Sequence, residues 1–217
     1  MNKEKVLREL SDWDDTTRRR KITLSNPVFI KGLALTPLAV AATTVQNSFI
    51  LSVCVLLLLT PTRIVTSAVT RRMSVPLKSF FYPLTSAVIF FFVYIFMYRL
   101  FGTKVFSLGV YLPIMVVDPL IVKNFEKTRK ESFTYSIING LRNTFGFILA
   151  CMITGAVREF LAFGTVCGVR LLNISLLPMA KTSFGGFIII GLISAFWHYS
   201  VKNYRERLIT EARKING

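Results

Sequence analysis

Acidic residues are scarce in this chain: 11 Asp and Glu face 27 Lys and Arg across 217 residues, with one histidine. Cysteine is scarce too. Cys54, Cys151 and Cys167 have neither CxxC spacing nor histidine partners, which argues against a disulfide framework and a zinc site. No Gly-rich phosphate loop, nucleophile–base set or carboxylate pair stands in a polar segment, so no active site is expected within this chain alone. The first 25 residues lack the apolar core of a cleavable signal peptide. What is missing over the longest stretches is charge itself. Ser79 to Tyr98 is a run of 20 uncharged residues, and Thr182 to Val201 is another, interrupted by His198.

Such runs match the roughly 20 apolar residues that a helix needs to cross a hydrocarbon core of about 30 Å. Lipid offers no water to the backbone, so these segments must be helices that bond internally. Hydrophobic residues make up 53% of the chain and mean hydropathy is +0.54, which agrees with a polytopic membrane protein whose surroundings are a lipid bilayer. In a soluble domain a net charge of +16 would suggest nucleic acid. Here the basic residues sit mostly at the ends of apolar runs, where they fix orientation, and no nucleic-acid partner is expected.

Six crossings are expected, at about 27–43, 48–68, 80–101, 105–122, 133–157 and 184–201. The fold class is thus an all-α membrane protein. With the N-terminus inside, the inner segments hold 20 Lys and Arg, Arg63 among them, and the outer segments hold five: Arg99, Lys104, Arg158, Arg170 and Lys181. That asymmetry places both termini in the cytoplasm. Residues 1–25 form a charged N-terminal segment in which Val6, Leu10 and Trp13 share a helical face, suited to a membrane surface or a partner, or else a partly ordered tail. Residues 26–202 form the membrane domain and 203–217 a cytoplasmic tail. Gly191 and Ala195 make a small-xxx-small pair on the last helix.

Two of these helices are expected to be broken, the first at Gly32 to Pro37 and the fourth around Pro113, Asp118 and Pro119. Interruptions at matching places in two three-helix halves suggest an inverted repeat with a site near the midplane; the alternative is two proline-kinked, packed helices.

The order and spacing of several stretches resemble the RnfE/NqrD subunits of Rnf and Na⁺-pumping NADH:quinone oxidoreductase complexes. They are Asn26-Pro27-Val28, the Gly-Leu-x-x-x-Pro of Gly32 to Pro37, Ala39 to Thr44, Gly109 to Ile114, Ala156-Val157-Arg158-Glu159-Phe160-Leu161 followed by Gly164-Thr165, and Gly185-Gly186-Phe187-Ile188. The resemblance covers about Asn26 to Tyr199. It implies six helices in two inverted repeats, broken first and fourth helices, and a tight pairing with a sister RnfA/NqrE-like membrane subunit beside other electron-transport subunits. It also implies a cytoplasmic (inner) membrane location in a bacterium or archaeon. In that family each of the two subunits supplies two cysteines to a two-iron two-sulfur cluster near the midplane. This chain departs from the pattern at both positions, which hold Thr36 and Pro119, so no cofactor is expected on this chain alone.

Asp118 is the carboxylate least expected inside a span. It reads either as an ion or proton site at the broken-helix junction, with Lys31 or Arg142 as partner, or as the N-cap of a half-helix beginning at Pro119. Thr36, Pro37 and Asp118 are therefore the candidate midplane residues. Arg158-Glu159 is expected at the outer end of the fifth helix, as a local ion pair or a contact to the sister subunit. His198, between Trp197 and Tyr199, fits an interfacial aromatic belt better than a metal site. Phe90 to Phe92, Tyr94 and Phe96 are expected to face lipid or to pack. The leading function is a subunit of an ion-translocating electron-transport complex. An ion or small-molecule transporter, or a non-redox assembly subunit, reusing the scaffold are the alternatives.

Overall fold

The computed structural model describes residues 26, 28–30, 32, 35–69, 75–109, 111–115 and 133–216. Among these the α-helices are α1 (Leu35–Ala41), α2 (Val45–Val69), α3 (Val75–Phe101), α4 (Tyr111–Ile114), α5 (Phe133–Phe163) and α6 (Ser183–Asn216). Two 3-10 helices, Gly102–Leu108 and Pro178–Lys181, and a two-stranded hairpin, β1 (Thr165–Val166) and β2 (Val169–Arg170), complete the described elements. Among the described residues, four helices are long and apolar enough to cross a membrane, within Val45–Thr66, Pro83–Leu108, Leu141–Phe163 and Ser183–Thr210. This is a mostly helical membrane protein.

The expected first crossing is not a continuous helix. Asn26 Oδ1 accepts the backbone N–H of Val28 (2.9 Å) and Phe29 (3.2 Å), which caps a single turn. That turn closes with Ile30 N–H donating to Asn26 O and Gly32 N–H to Val28 O. Gly32, at φ +68°, ends it in the left-handed conformation that favours glycine. The chain then resumes as α1. Asn26 also donates from Nδ2 to Gly146 O at 2.8 Å, which fixes the start of the broken segment against the middle of α5.

Of the expected fourth crossing, Val105 lies in a 3-10 helix that ends at Gly109 (φ +52°), and a short α-helix follows from Tyr111 to Ile114. Residues 116–122, which include the expected break at Asp118 and Pro119, lie outside the described residues. Pro113 sits inside α4, and α4 packs against α1, so the two interrupted segments meet. Lys31 and the whole N-terminal segment with its Val6–Leu10–Trp13 pattern also lie outside the described residues.

The core lies chiefly between α2 and α5, the most extensively packed pair, with α3 against α2 and α6 against α1. Ile50, Leu51, Cys54 and Leu58 of α2 meet Phe147, Ala150 and Cys151 of α5 in one buried cluster. Gly155 permits the close approach. A Cβ there would overlap the Ser48 hydroxyl and stand 2.8 Å from Ser48 Cβ and 3.0 Å from Thr44 O. Arg63, counted among the inner cations near the end of the expected 48–68 crossing, lies inside α2 and is buried, 1% exposed. The last helix also runs further than its apolar part, through the tail to Asn216.

Candidate functional site

Where α1 ends and α2 begins, the chain turns at Ala42 to Thr44 and leaves two sets of unbonded backbone groups facing each other: the last carbonyls of α1 and the first N–H groups of α2. In an apolar surrounding each such group costs several kcal/mol unless it is satisfied. Thr44 meets part of the need, its Oγ1 accepting the Asn47 N–H at 3.2 Å. Thr43 N–H donates to Ala41 O at 2.8 Å, and two adjacent residues of α5 serve three more of these groups.

Arg158 is fully buried and its guanidinium reaches four carbonyls. Nη1 donates to Ala39 O (2.6 Å) and Ala42 O (3.2 Å), Nε to Ala180 O (3.1 Å) and Nη2 to Thr182 O (3.1 Å). The cation thus sits at the negative end of α1 and joins it to the segment that opens α6. Glu159, 4% exposed, accepts the Val45 N–H at Oε2 (2.7 Å), which puts a carboxylate at the positive end of α2. Its Oε1 accepts Thr165 Oγ1–H (3.2 Å) and Gly168 N–H (2.9 Å), fastening the hairpin beyond α5. A planar fork of five N–H donors suits four converging carbonyls in a way that a lysine ammonium does not.

This corrects the expectation for Arg158-Glu159. The helix continues past them to Phe163, and the pair serves different partners inside the chain. The physical reason is that broken helices have ends inside the protein, and those ends need charges of both signs. Gly186 completes the junction: a Cβ there would overlap Ala39 O and stand 2.9 Å from Arg158 Cζ, so glycine lets α6 close over the corner. Four separate stretches, Ala39 to Ala42, Arg158-Glu159, Gly164-Thr165 and Gly185-Gly186, therefore converge on one place.

Of the midplane candidates, Thr36 lies in the first turn of α1 with its side chain exposed, and Pro37 is buried. Arg142 is half-buried on α5. Gly191 and Ala195 are exposed, so this pair does not mediate a close helix approach within the chain. Trp197 packs on Phe29 with ring centroids 5.2 Å apart, while His198 and Tyr199 are exposed. Phe91, Phe92 and Phe96 are exposed, and Phe90 and Tyr94 pack against the core.

The thiolate-bound cluster implied by the resemblance does not fit the donors present. Thr36 offers a neutral, hard hydroxyl in place of a thiolate. Cys54 and Cys151 are buried on α2 and α5, and Cys167 is exposed in the hairpin turn, so none of them lies on α1. Among the described residues, no three His, Cys, Asp or Glu side chains gather as a metal site.

Residues 17–194 match the family described as "Rnf-Nqr subunit, membrane protein". The chain is 28% identical over 206 residues to the E subunit of the proton-translocating ferredoxin:NAD(+) oxidoreductase complex of Clostridium ljungdahlii, covering 92% of this chain and 95% of that one. It is 30% identical over 162 residues to the E subunit of the ion-translocating oxidoreductase complex of Methanosarcina acetivorans, covering 72% and 75%. It is 25% identical over 195 residues to the E subunit of the Na(+)-translocating ferredoxin:NAD(+) oxidoreductase complex of Acetobacterium woodii, covering 84% and 95%.

Proposed function

This chain belongs to the Rnf-Nqr family of membrane subunits, and we propose that it acts as an RnfE/NqrD-type integral subunit of an ion-translocating electron-transport complex in the cytoplasmic membrane. The observation that carries this reading is the junction at Arg158-Glu159. Arg158 and Gly186, both in family-like stretches, hold the end of the broken segment that carries Thr36 in its first turn, and Glu159 holds the start of the next helix. A protein sustains such a costly break where an interrupted helix lines a site or meets a partner. Thr36, Pro37 and Asp118 are the residues proposed at that position. The full topology proposed is six crossings in two inverted repeats with both termini cytoplasmic.

The partner proposed is a sister RnfA/NqrE-like subunit facing the broken helices, because Thr36 is exposed in the first turn of α1 and its polar side chain needs cover from lipid. Thr36 and Pro119 supply no thiolate, so this subunit contributes none of the usual ligands at those places. Its own role is then to seat the partner and the ion path. The relatives' names carry both a proton and Na(+), and the coupling ion of this complex is one of these.

Purification from native membranes, with co-purifying proteins, iron and flavin measured together, tests the proposal. A sister membrane subunit and flavin-bearing proteins should come with this chain. A monodisperse protein free of other subunits in mild detergent would overturn it. A reduced two-iron signal in electron paramagnetic resonance, lost when Cys54, Cys151 or Cys167 is changed to Ala, would overturn the statement about ligands alone. Reporter fusions at Gly217 and near Lys104 should give opposite compartment signals, and equal signals would refute the six-crossing topology.

A further inference from the structure

Residues 164–182, between α5 and α6, carry a group of exposed apolar side chains: Val169, Leu171, Ile174, Leu176 and Met179, with Ile174 74% exposed. The connection does not project away from the helix ends. Gly164, at φ +67°, reverses the chain, and Leu171 and Leu172 N–H both donate to Gly164 O. Leu177 N–H then donates to Leu161 O at 2.8 Å, and Arg158 holds Ala180 O and Thr182 O. Leu161 and Arg158 precede the end of α5 by two and five residues, about 3 and 8 Å along the axis. Residues 177–182 therefore run back beside the last turns of a helix whose apolar stretch, Leu141–Phe163, is long enough to span the bilayer.

We infer that residues 169–179 form a re-entrant interfacial segment, with Val169, Leu171, Ile174 and Leu176 among lipid acyl chains and Arg170 and Lys181 at anionic headgroups. Both ends of the connection enter from membrane spans, so lipid is the neighbour its depth already provides. The charge is complementary as well: no Asp or Glu occurs from Phe160 to Arg205, while Arg170 and Lys181 lie within the connection. Lys181 Nζ lies 4.5 Å from the centre of the Phe163 ring, a cation held at the helix end where phosphates are found. Apolar side chains inserted at that level gain from leaving water, and the cations add attraction to anionic lipid. The inference rests on the span assignment and is independent of the electron-transport proposal.

The full-length chain, with whichever subunits accompany it, is reconstituted in vesicles of roughly three parts phosphatidylcholine to one part phosphatidylglycerol, and in phosphatidylcholine alone. A nitroxide is attached at Ile174→Cys in a Cys167→Ser background, Cys54 and Cys151 being buried. Labels at Phe92→Cys and Arg205→Cys give the acyl-chain and aqueous references. The label at 174 should collide with oxygen, as the one at 92 does, and lose collisions with a water-soluble nickel complex. Nickel collisions like those at 205 would overturn the inference, and so would an immobile label shielded from both reagents, the mark of a protein partner. Removing phosphatidylglycerol should shift the label toward the aqueous reference, and changing both Arg170→Gln and Lys181→Gln should abolish that shift. A label insensitive to lipid charge would overturn the headgroup assignment.

Discussion

Helices α2 and α3 are almost equally hydrophobic, yet 56% of the spanning window of α2 is buried inside the chain and 17% of that of α3. The difference lies in which side chains face which neighbour. Toward α5, α2 buries Ser48 and Ser52, and α5 answers with Ala150, Cys151, Thr154 and Gly155. Helix α3 exposes Phe91, Phe92 and Phe96. Lipid tails are as apolar as leucine, so hydrophobicity gives no reason for one helix to prefer another over lipid. Close approach and polar contact do. The inward pair is thus selected by small and polar residues, and the outward helix by large apolar ones.

That comparison is open to direct test, and the largest effect is expected at the helix ends. Arg158→Leu leaves the carbonyls of Ala39, Ala42, Ala180 and Thr182 without their donor, at about 3 kcal/mol or more in total. Solubilised protein should lose its monodisperse peak on mild heating, and Arg158→Lys should restore only part of it. If Arg158→Leu were as heat-resistant as the parent, the junction would not hold α1.

Gly155→Ala comes next. The added methyl forces α2 and α5 apart at Ser48, with an overpacking cost of about 1–3 kcal/mol read as a lower aggregation temperature. Glu159→Gln keeps the shape and removes the charge facing the start of α2, a loss of about 1–2 kcal/mol by the same assay. Phe92→Ala should change stability by less than about 0.5 kcal/mol, because its ring is 65% exposed and exchanges one apolar neighbour for another. A large loss at Phe92 would show that α3 faces protein and not lipid.

Much of this is legible along the chain. The spans of α2, α3 and α6 announce themselves as long runs without charge, that of α5 as an apolar stretch between Arg142 and Arg158, and Gly32 marks the first break by being the residue that tolerates φ +68°. The Arg-Glu dipeptide announces itself only as an oddity. Two adjacent charges near the end of an apolar stretch read equally well as a surface pair, because linear order does not reveal which helix ends lie beside them. Arg63 misleads for a related reason. A basic residue near the end of a span looks like an orientation signal, and only the packing of the folded chain reveals that it is buried.

The sequence by itself determined the class of molecule, since charge cannot be left in hydrocarbon without cost and a helix that crosses the bilayer must do without it for about 20 residues. It determined where the first break falls, because backbone conformation is a local property of glycine. Only the tertiary structure decided that Arg158 and Glu159 serve the two ends of one corner 114 to 119 residues away, that Gly186 makes room for Arg158, and that the α5–α6 connection folds back along its own helix. Satisfaction of backbone groups at broken helix ends is a long-range matter: the donors and acceptors come from whichever segments the fold brings near.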